Sequence, residues 1–286
     1  MIRAALLALI VTTSVTAQPP QPSGSPIDTS NWNTPFPPFK IAGPIYYVGT
    51  AELGAYLITT PQGHILIDGG LPEGAPVIAD AIRKAGFTVE DIEVLLTTQA
   101  HFDHVGSLAA LQKMSGGAVM VMQGDVDLVE AGGKGDFLFG NDSTFPPVKV
   151  DRVLKDGDTV VLGGVTLKAI HTPGHTKGCT TWTTTITDEG RGLLVVFPGS
   201  TTANPGTVLP SMPTYPTVGA DYDRTFAIQA ALSPDIWLGA HASFFNLADK
   251  RARQQAGGPN PFIDPEGWKK SVATRLANHE KLKSKS

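Results

Sequence analysis

The sequence predicts an α+β fold in which two mixed β-sheets face each other and helices cover their outer sides. Predicted strands and helices alternate through the first half of the chain, and the second half repeats this style. No short repeat unit runs through the 286 residues, which excludes solenoids and propellers. We interpret the two similar halves as two packed sheets of a single domain.

The first 17 residues have the pattern of a secretory signal peptide. Arg3 provides a positive start, residues 4–11 form an apolar run, and VTA at 15–17 is a small-residue cleavage site. The apolar run is about half of the ~20 residues that a membrane-spanning helix needs. We therefore expect a periplasmic protein without membrane attachment after cleavage; an uncleaved anchor is the alternative.

Composition limits what the rest of the chain does. Residues 18–40 are rich in Pro, Ser and Asn without periodicity, which indicates an N-terminal arm before a domain at 41–286. Cys179 is the only cysteine, so no intramolecular disulfide forms even in an oxidising compartment. The formal net charge of −4 gives no indication of nucleic-acid binding.

Hydrophobic patterns predict the elements of the first half. Short apolar or β-branched runs between Gly- and Pro-containing turns predict strands at 45–48, 55–59, 64–68, 94–98 and 118–122. Apolar residues at helical spacing predict helices at 75–85, 103–114 and 125–131. Gly86 is a typical stop for the first of these helices.

The second half contains more strands than helices. The same patterns predict strands at 159–162, 165–171, 180–186, 193–197 and 236–240. They predict helices at 222–232 and 265–281. The strands of this half would form the second of the two facing sheets.

A cluster of ionisable side chains follows the predicted strand at 94–98. The segment TTQAHFDHVGSL (97–108) places His101, Asp103 and His104 within four positions. Imidazole and carboxylate are ligands of open catalytic zinc sites, and strand-end loops commonly carry functional groups. Neighbouring side chains leave the backbone in different directions, so two adjacent metal ions accommodate them better than one. The cluster therefore predicts a two-metal centre that takes further ligands from elsewhere.

Two more histidines follow predicted strands further along the chain. His175 lies in the tight turn of HTPGHTKGCTTW (171–182), and His241 lies in WLGAHASFF (237–245). Because all three segments follow apolar strands, one edge of the sheets can gather their side chains. Three ligands are then available for each of two metals: Gln99, His101 and His175 for one, and Asp103, His104 and His241 for the other.

Five motifs together resemble the metallo-β-lactamase superfamily, and within it the third subclass of class B β-lactamases. They are YYVGT at 46–50, LIDGG at 66–70, AHFDHVG at 100–106, TPGHT at 172–176, and NLADK…NPFIDPEGW at 246–268. The resemblance runs from about Trp32 to Trp268. It implies a four-layer αββα sandwich with a zinc centre at one edge of the facing sheets.

The resemblance also implies a role for each ligand-type residue. The first zinc ion would be held by Gln99, His101 and His175, and the second by Asp103, His104 and His241. Family members usually have histidine where this sequence has Gln99. Glutamine offers an amide oxygen, a neutral and harder ligand than imidazole. We therefore expect weaker zinc binding at the first site; a Gln99 side chain that points aside is the alternative.

A serine follows the predicted strand at 193–197. Thioesterases, lactonases and nucleases of the superfamily usually carry a metal-bridging aspartate there, whereas this chain reads VVFPGSTTANPG (195–206). In the third β-lactamase subclass, a serine at this place is thought to hold a water near the second zinc, and a nearby hydroxyl contacts the substrate carboxylate. Ser200 and Thr202 are therefore the candidates for substrate binding.

The function that the resemblance implies is zinc-dependent hydrolysis of the β-lactam amide of penicillins, cephalosporins and carbapenems, which confers antibiotic resistance. The bound zinc would activate water, and Asp103 would orient it. We expect a monomer that acts on small molecules. Two alternatives stay open: another hydrolase of the same fold, such as a lactonase, and a non-catalytic zinc-binding module. Asp68 and His171 are each either supports of a ligand histidine or ordinary structural residues.

Overall fold

The computed structural model describes residues 29–284. The predicted signal peptide (1–17) and the first part of the predicted arm (18–28) lie outside the described residues. Within the described range, no helix is both long and apolar enough to cross a membrane.

Seven strands form the first sheet, in chain order. They are β1 (Phe39–Ala42), β2 (Ile45–Tyr47), β3 (Tyr56–Thr60), β4 (Gly63–Ile67), β5 (Ile92–Leu96), β6 (Ala118–Met122) and β7 (Arg152–Leu154). Neighbours from β1 to β4 are antiparallel, and those from β4 to β7 are parallel. Parallel neighbours need crossover connections, and helices supply them. These helices are α1 (Ala75–Lys84), α2 (Phe102–Val105), α3 (Leu108–Ser115) and α4 (Val126–Glu130).

Five strands form the second sheet, in the order β12-β11-β10-β9-β8. They are β8 (Thr159–Leu162), β9 (Val165–His171), β10 (Thr180–Asp188), β11 (Arg191–Phe197) and β12 (Ile236–Trp237). Only the β11–β12 pair is parallel in this sheet. The helices of this half are α5 (Val218–Ala231), α6 (Leu247–Gln255) and α7 (Pro265–Lys283).

The side chains of β4 show why the layers stack as they do. Ile65 and Ile67 belong to the apolar cluster between the two sheets, which also contains Trp182 of β10. Leu66 points to the opposite face and packs in the cluster that contains Ile78 of α1. Successive side chains of a strand alternate between faces, so an all-apolar strand must be covered on both sides. The predicted four-layer αββα sandwich is confirmed.

The predicted single helix at 103–114 is wrong, because the chain breaks it into α2 and α3. Ser107 Oγ donates a hydrogen bond to the carbonyl oxygen of Leu71 at 2.5 Å. A Cβ atom at Gly106 would collide with the backbone of Phe102 and of Pro72, so glycine permits this close approach. Three short elements were not predicted at all: β1, β7 and α6.

The predicted strand at 236–240 is shorter in the structure, and its shortening positions a histidine. β12 ends at Trp237. The following residues turn towards the first sheet, where the Gly54 amide donates to the carbonyl oxygen of Ala240 at 2.8 Å. An isolated bridge joins Leu53 to His241. His241 is thereby held where the edges of the two sheets meet.

Candidate metal centre

The segments that carry the predicted ligands meet at one edge of the sandwich. Residues 97–104 follow β5 of the first sheet, and the turn at 172–178 joins β9 to β10 of the second. The Thr180 amide donates to the carbonyl oxygen of Thr98 at 2.8 Å. Trp182 Nε1 donates to the carbonyl oxygen of Thr97 at 3.0 Å. These bonds fix the strand-end loops of the two sheets against each other.

The residues predicted to hold the second zinc ion, Asp103, His104 and His241, form the second ligand set. Their side chains are arranged around a common point. The Oδ2 atom of Asp103 lies 3.2 Å from Nε2 of His104 and 3.3 Å from Nε2 of His241. One potential ligand atom from each residue lies within 4.8 Å of the others. Two imidazoles and a carboxylate at these separations suit a divalent metal ion.

The residues predicted to hold the first zinc ion, Gln99, His101 and His175, form the first ligand set and lie beside it. His101 Nδ1 and His175 Nε2 are 3.0 Å apart, and both rings are buried. Gln99 is also buried, and its Oε1 atom has no hydrogen-bond partner within residues 29–284. A buried amide oxygen without a donor is costly unless it has another partner, and a metal ion is such a partner. The structure therefore brings all six predicted ligand residues together: five of them line one cavity, and His104 is fully buried beside Asp103.

In three of the histidines, an oxygen atom faces the ring nitrogen Nδ1, on the side away from the ligand sets. From Nδ1 to the facing oxygen, the distances are 2.6 Å for His175 and the Thr202 carbonyl, 3.3 Å for His241 and Glu52, and 3.6 Å for His104 and Asp68. A carbonyl or carboxylate oxygen at hydrogen-bond distance accepts a hydrogen bond, so a ring proton belongs on Nδ1 of His175 and of His241. Asp68 lies beyond hydrogen-bond distance of His104 Nδ1 but faces the same ring atom. Nε2 is then the nitrogen of each ring that faces the ligand sets and is left for a metal ion.

The electrostatics of the two sets differ. Burial disfavours a charge on Asp103, but the imidazoles of His104 and His241 lower its pKa well below the usual range. Burial also opposes a charge on His104, yet Asp103 and Asp68 raise its pKa to about 10. In the metal-free chain this set holds a proton, which a metal cation would displace on binding. Burial and the neighbouring His101 lower the pKa of His175 to about 3, which keeps this ring neutral and able to bind a metal.

Asp68 is held in an uncommon backbone conformation. Its φ of +62° lies in the left-handed region, which costs energy for a residue other than glycine. Its carboxylate accepts hydrogen bonds from the Thr98 amide at 2.7 Å, the Thr98 hydroxyl at 2.8 Å and the Thr97 hydroxyl at 3.2 Å. The remaining direction faces His104. Of the two interpretations of Asp68, this geometry favours support of a ligand histidine.

Comparisons with known proteins agree with this geometry. The model of the metallo-beta-lactamase superfamily matches residues 55–196. The native FEZ-1 metallo-beta-lactamase from Legionella gormanii is 42% identical, with a TM-score of 0.85 over 87% of this chain and 95% of that chain. This chain belongs to the metallo-β-lactamase superfamily. It is similar as well to BJP-1, a subclass B3 metallo-beta-lactamase of Bradyrhizobium japonicum, at 38% identity and a TM-score of 0.85 over 91% of this chain and 98% of that one.

Curated relatives of this superfamily member match over a shorter region. A hydroxyacylglutathione hydrolase from Rhodopseudomonas palustris is 31% identical over 121 residues, 42% of this chain and 39% of that protein. The chain spans only 31–39% of the length of the first curated relatives that it matches. Membership in the superfamily makes the chain a hydrolase with a site for divalent metal, whose His and Asp ligand groups the structure provides.

The cavity of this superfamily hydrolase has an aromatic lining that the sequence did not reveal. It has a volume of about 620 Å³, within the range of small-molecule sites, and both ligand sets open into it. Trp32, Phe139 and Phe244 line it, and the ring centroid of Trp32 lies 5.2 Å from that of His241. Trp32 belongs to the predicted arm, whose described part therefore packs at the site. No periodic pattern marks these residues, because each comes from a separate short segment of the chain.

The two predicted substrate-binding residues also line this cavity. Ser200 is buried, and its hydroxyl accepts a hydrogen bond from the Thr202 amide at 3.2 Å. Thr202 is exposed, and its carbonyl oxygen holds His175 and also accepts a bond from Tyr222 Oη at 2.9 Å. Their segment is therefore tied to the ligand set that it borders.

Two residues near the ligand turn do not reach the cavity. His171 Nε2 lies 2.8 Å from the carbonyl oxygen of Lys177, so this histidine fastens the turn at 172–178. Cys179 is buried, and its burial raises the pKa of the thiol, which disfavours the thiolate form that binds metals. Neither residue is placed to be a ligand.

Proposed function

We propose that this chain is a periplasmic zinc-dependent β-lactamase with two zinc positions, which hydrolyses penicillins, cephalosporins and carbapenems and so confers antibiotic resistance. The observation that carries the proposal is the hydroxyl of Ser200 in the cavity, since superfamily thioesterases and lactonases usually have a carboxylate there. Identity of 38–42% with metallo-beta-lactamases over most of both chains supports it. The export pattern of residues 1–17 supports the location.

In this proposal the chain positions water and substrate around the metal. Zinc held by these residues would supply water of lowered pKa and positive charge for hydrolysis of the amide. The carboxylate of Asp103 is ionised because neighbouring imidazoles lower its pKa, so it accepts a hydrogen bond from the attacking water and orients it. Trp32, Phe139 and Phe244 exclude bulk water from the apolar parts of the substrate.

The cavity also determines how the substrate carboxylate is held. Among the described residues that line it there is no lysine or arginine, whereas Asp103 and Glu52 add negative charge. Hydroxyl groups of Ser200 and Thr202 are among the neutral donors of this lining, which also contains hydroxyl or amide groups of Thr29, Ser30, Asn31 and Asn204. We therefore expect metal removal to abolish substrate binding as well as turnover, because the carboxylates then repel the anion.

The test is hydrolysis by the purified full chain. Loss of imipenem absorbance is measured with added Zn²⁺ and after treatment with a chelator, beside an acyl-homoserine lactone and a glutathione thioester. We expect imipenem to be cleaved with the highest kcat/KM and activity to disappear with chelator and return with Zn²⁺. A higher kcat/KM for the lactone would support the lactonase alternative. A higher kcat/KM for the thioester would support a thioesterase. No cleavage of any substrate with Zn²⁺ present would support the non-catalytic module.

The Gln99 ligand leads to a separate prediction. Replacing it with histidine (Gln99→His) gives the first set a third imidazole, which zinc prefers to an amide oxygen. We expect zinc retained after dialysis to rise from about one to about two ions per chain. Gln62→His adds an imidazole at an exposed position and is the control. Equal zinc content in the wild-type chain and Gln99→His would contradict weak binding by the first set.

A further inference from the structure

The buried carboxylate of Asp136 faces His101, the remaining histidine of the two ligand sets, at its ring nitrogen Nε2. Asp136 belongs to the long connection between α4 and β7, in the glycine-rich stretch GGKGDFLFG at 132–140. Its Oδ1 atom accepts hydrogen bonds from the amides of Leu138 at 2.7 Å and Phe139 at 2.8 Å. One carboxylate oxygen is thus used to shape the loop.

The other oxygen faces His101. Oδ2 of Asp136 lies 3.5 Å from Nε2 of His101, and both side chains are more than nine-tenths buried. Neither atom has a hydrogen-bond partner within residues 29–284. A buried carboxylate oxygen and a buried ring nitrogen are each costly when unpaired. A closer approach of a few tenths of an ångström satisfies both, with the ring nitrogen as donor and the carboxylate as acceptor.

This pairing determines which nitrogen of His101 is free to bind a metal. With its proton on Nε2, the ring presents a lone pair at Nδ1, the atom that lies 3.0 Å from His175 Nε2. His175 carries its own proton on Nδ1, because its partner there is the Thr202 carbonyl. Both lone pairs then point into the first ligand set. If no acceptor faced Nε2, the His101 ring could carry its proton on Nδ1 instead. A proton on Nδ1 would prevent that atom from binding a metal ion.

We propose that Asp136 is the positioning residue of the first metal site: it fixes the tautomer and orientation of His101 and increases the basicity of its Nδ1 atom. The inference rests on the metal site of the proposed function and not on the identity of the substrate. The need for such a residue is greater here because Gln99 contributes a neutral oxygen. The Phe139 ring packs edge-on against His101 at a centroid distance of 5.4 Å, so the same loop holds the imidazole from two directions.

The variant Asp136→Asn separates the two roles of this carboxylate. The amides of Leu138 and Phe139 require an oxygen, so the asparagine keeps its carbonyl towards the loop. Its NH₂ group must then face His101, which reverses the hydrogen bond and moves the ring proton to Nδ1. The loop is retained while the ligand atom is lost. Asp127→Asn, at an exposed position near the same loop, is the matched control.

The measurement is Zn²⁺ affinity of the full chain by competition with a chromophoric chelator. Both the parent and the Asp136→Asn chain carry Asp103→Ala in this measurement. This substitution removes a ligand of the second set, so the measured affinity is that of the first set. We expect Asp136→Asn to weaken this affinity about 10–100-fold, the usual effect of removing a carboxylate behind a ligand histidine. Binding by the second set, measured in chains that carry Gln99→Ala, should change less than about threefold, because Asp136 does not contact it. Ring ¹⁵N shifts of His101 should show the proton on Nε2 in the parent chain and on Nδ1 in Asp136→Asn.

Three other results would contradict either the positioning role of Asp136 or the first metal site. Equal first-set affinity for Asp136→Asn and Asp127→Asn would refute the positioning role and leave the proposed β-lactamase function intact. Equal weakening of both sets together with a lowered thermal midpoint would make Asp136 a structural residue only. Absence of Zn²⁺ binding by the Asp103→Ala chain itself would refute the first metal site, and the inference with it.

Discussion

Replacement of Asp103 by alanine is expected to remove one metal ion per chain and to lower kcat/KM for imipenem by at least about a hundredfold. Loss of a carboxylate behind a metal ligand commonly costs 10–100-fold, and loss of a ligand itself should cost more. Asp103 Oδ2 is the only carboxylate oxygen within 3.3 Å of both His104 Nε2 and His241 Nε2 among the described contacts. Without it, two imidazoles remain to hold the second ion.

The same substitution tests the proposed orientation of water. Asp103→Asn keeps the shape of the side chain but removes its charge, so it should lose nearly as much activity as Asp103→Ala. Asp127→Ala changes an exposed aspartate and should leave zinc content and kcat/KM unchanged. Zinc is counted after dialysis, and kinetics are measured with Zn²⁺ in excess. Retention of both ions, or activity within about threefold of the parent chain, would remove Asp103 from the centre.

The sequence predicted those elements whose pattern is local. The predicted strands at 118–122, 159–162 and 165–171 have the same bounds as β6, β8 and β9. Their side chains are apolar at regular intervals and lie between short turns, so the pattern alone defines them. The break between α2 and α3 could not be seen, because it depends on a bond from Ser107 to Leu71, 36 positions away. The helix propensity of residues 103–114 does not indicate the contact between Ser107 and Leu71.

The same division applies to the metal centre. Histidines that follow apolar strands could be selected from the sequence, and the structure brings them together at or beside one cavity. The oxygen groups that face the outer ring nitrogens of these histidines could not be predicted, because they are distant in the chain. Glu52, for example, lies 189 positions from His241. Asp136 lies in a glycine-rich loop without periodicity, and aspartates in such loops are common turn residues. Only the assembled fold shows that its second oxygen faces an imidazole.

Replacement of Asp125 by alanine is expected to lower the free energy of unfolding of the metal-free chain by about 3–5 kcal/mol. Asp125 is buried, and its carboxylate accepts hydrogen bonds from the Ala100 amide at 3.1 Å, the Thr176 hydroxyl at 2.6 Å and the Gly178 amide at 2.6 Å. Burial raises the pKa of this carboxyl, whereas the three donors and His101 lower it. Alanine leaves the three donors unpaired in a buried place, at about 1–3 kcal/mol each before relaxation.

The position of these donors links stability to metal binding. Ala100 lies between Gln99 and His101, while Thr176 follows His175, so Asp125 joins the two chain segments of the first ligand set. A Cβ atom at Gly178 would collide with Asp125, which shows how closely these segments approach. We therefore expect the variant to bind first-set zinc more weakly as well as to unfold at lower urea concentration. Asp127→Ala, two positions along the chain and exposed, should change neither. A loss below about 1 kcal/mol in urea unfolding would show that solvent satisfies the three donors and that the joint is dispensable.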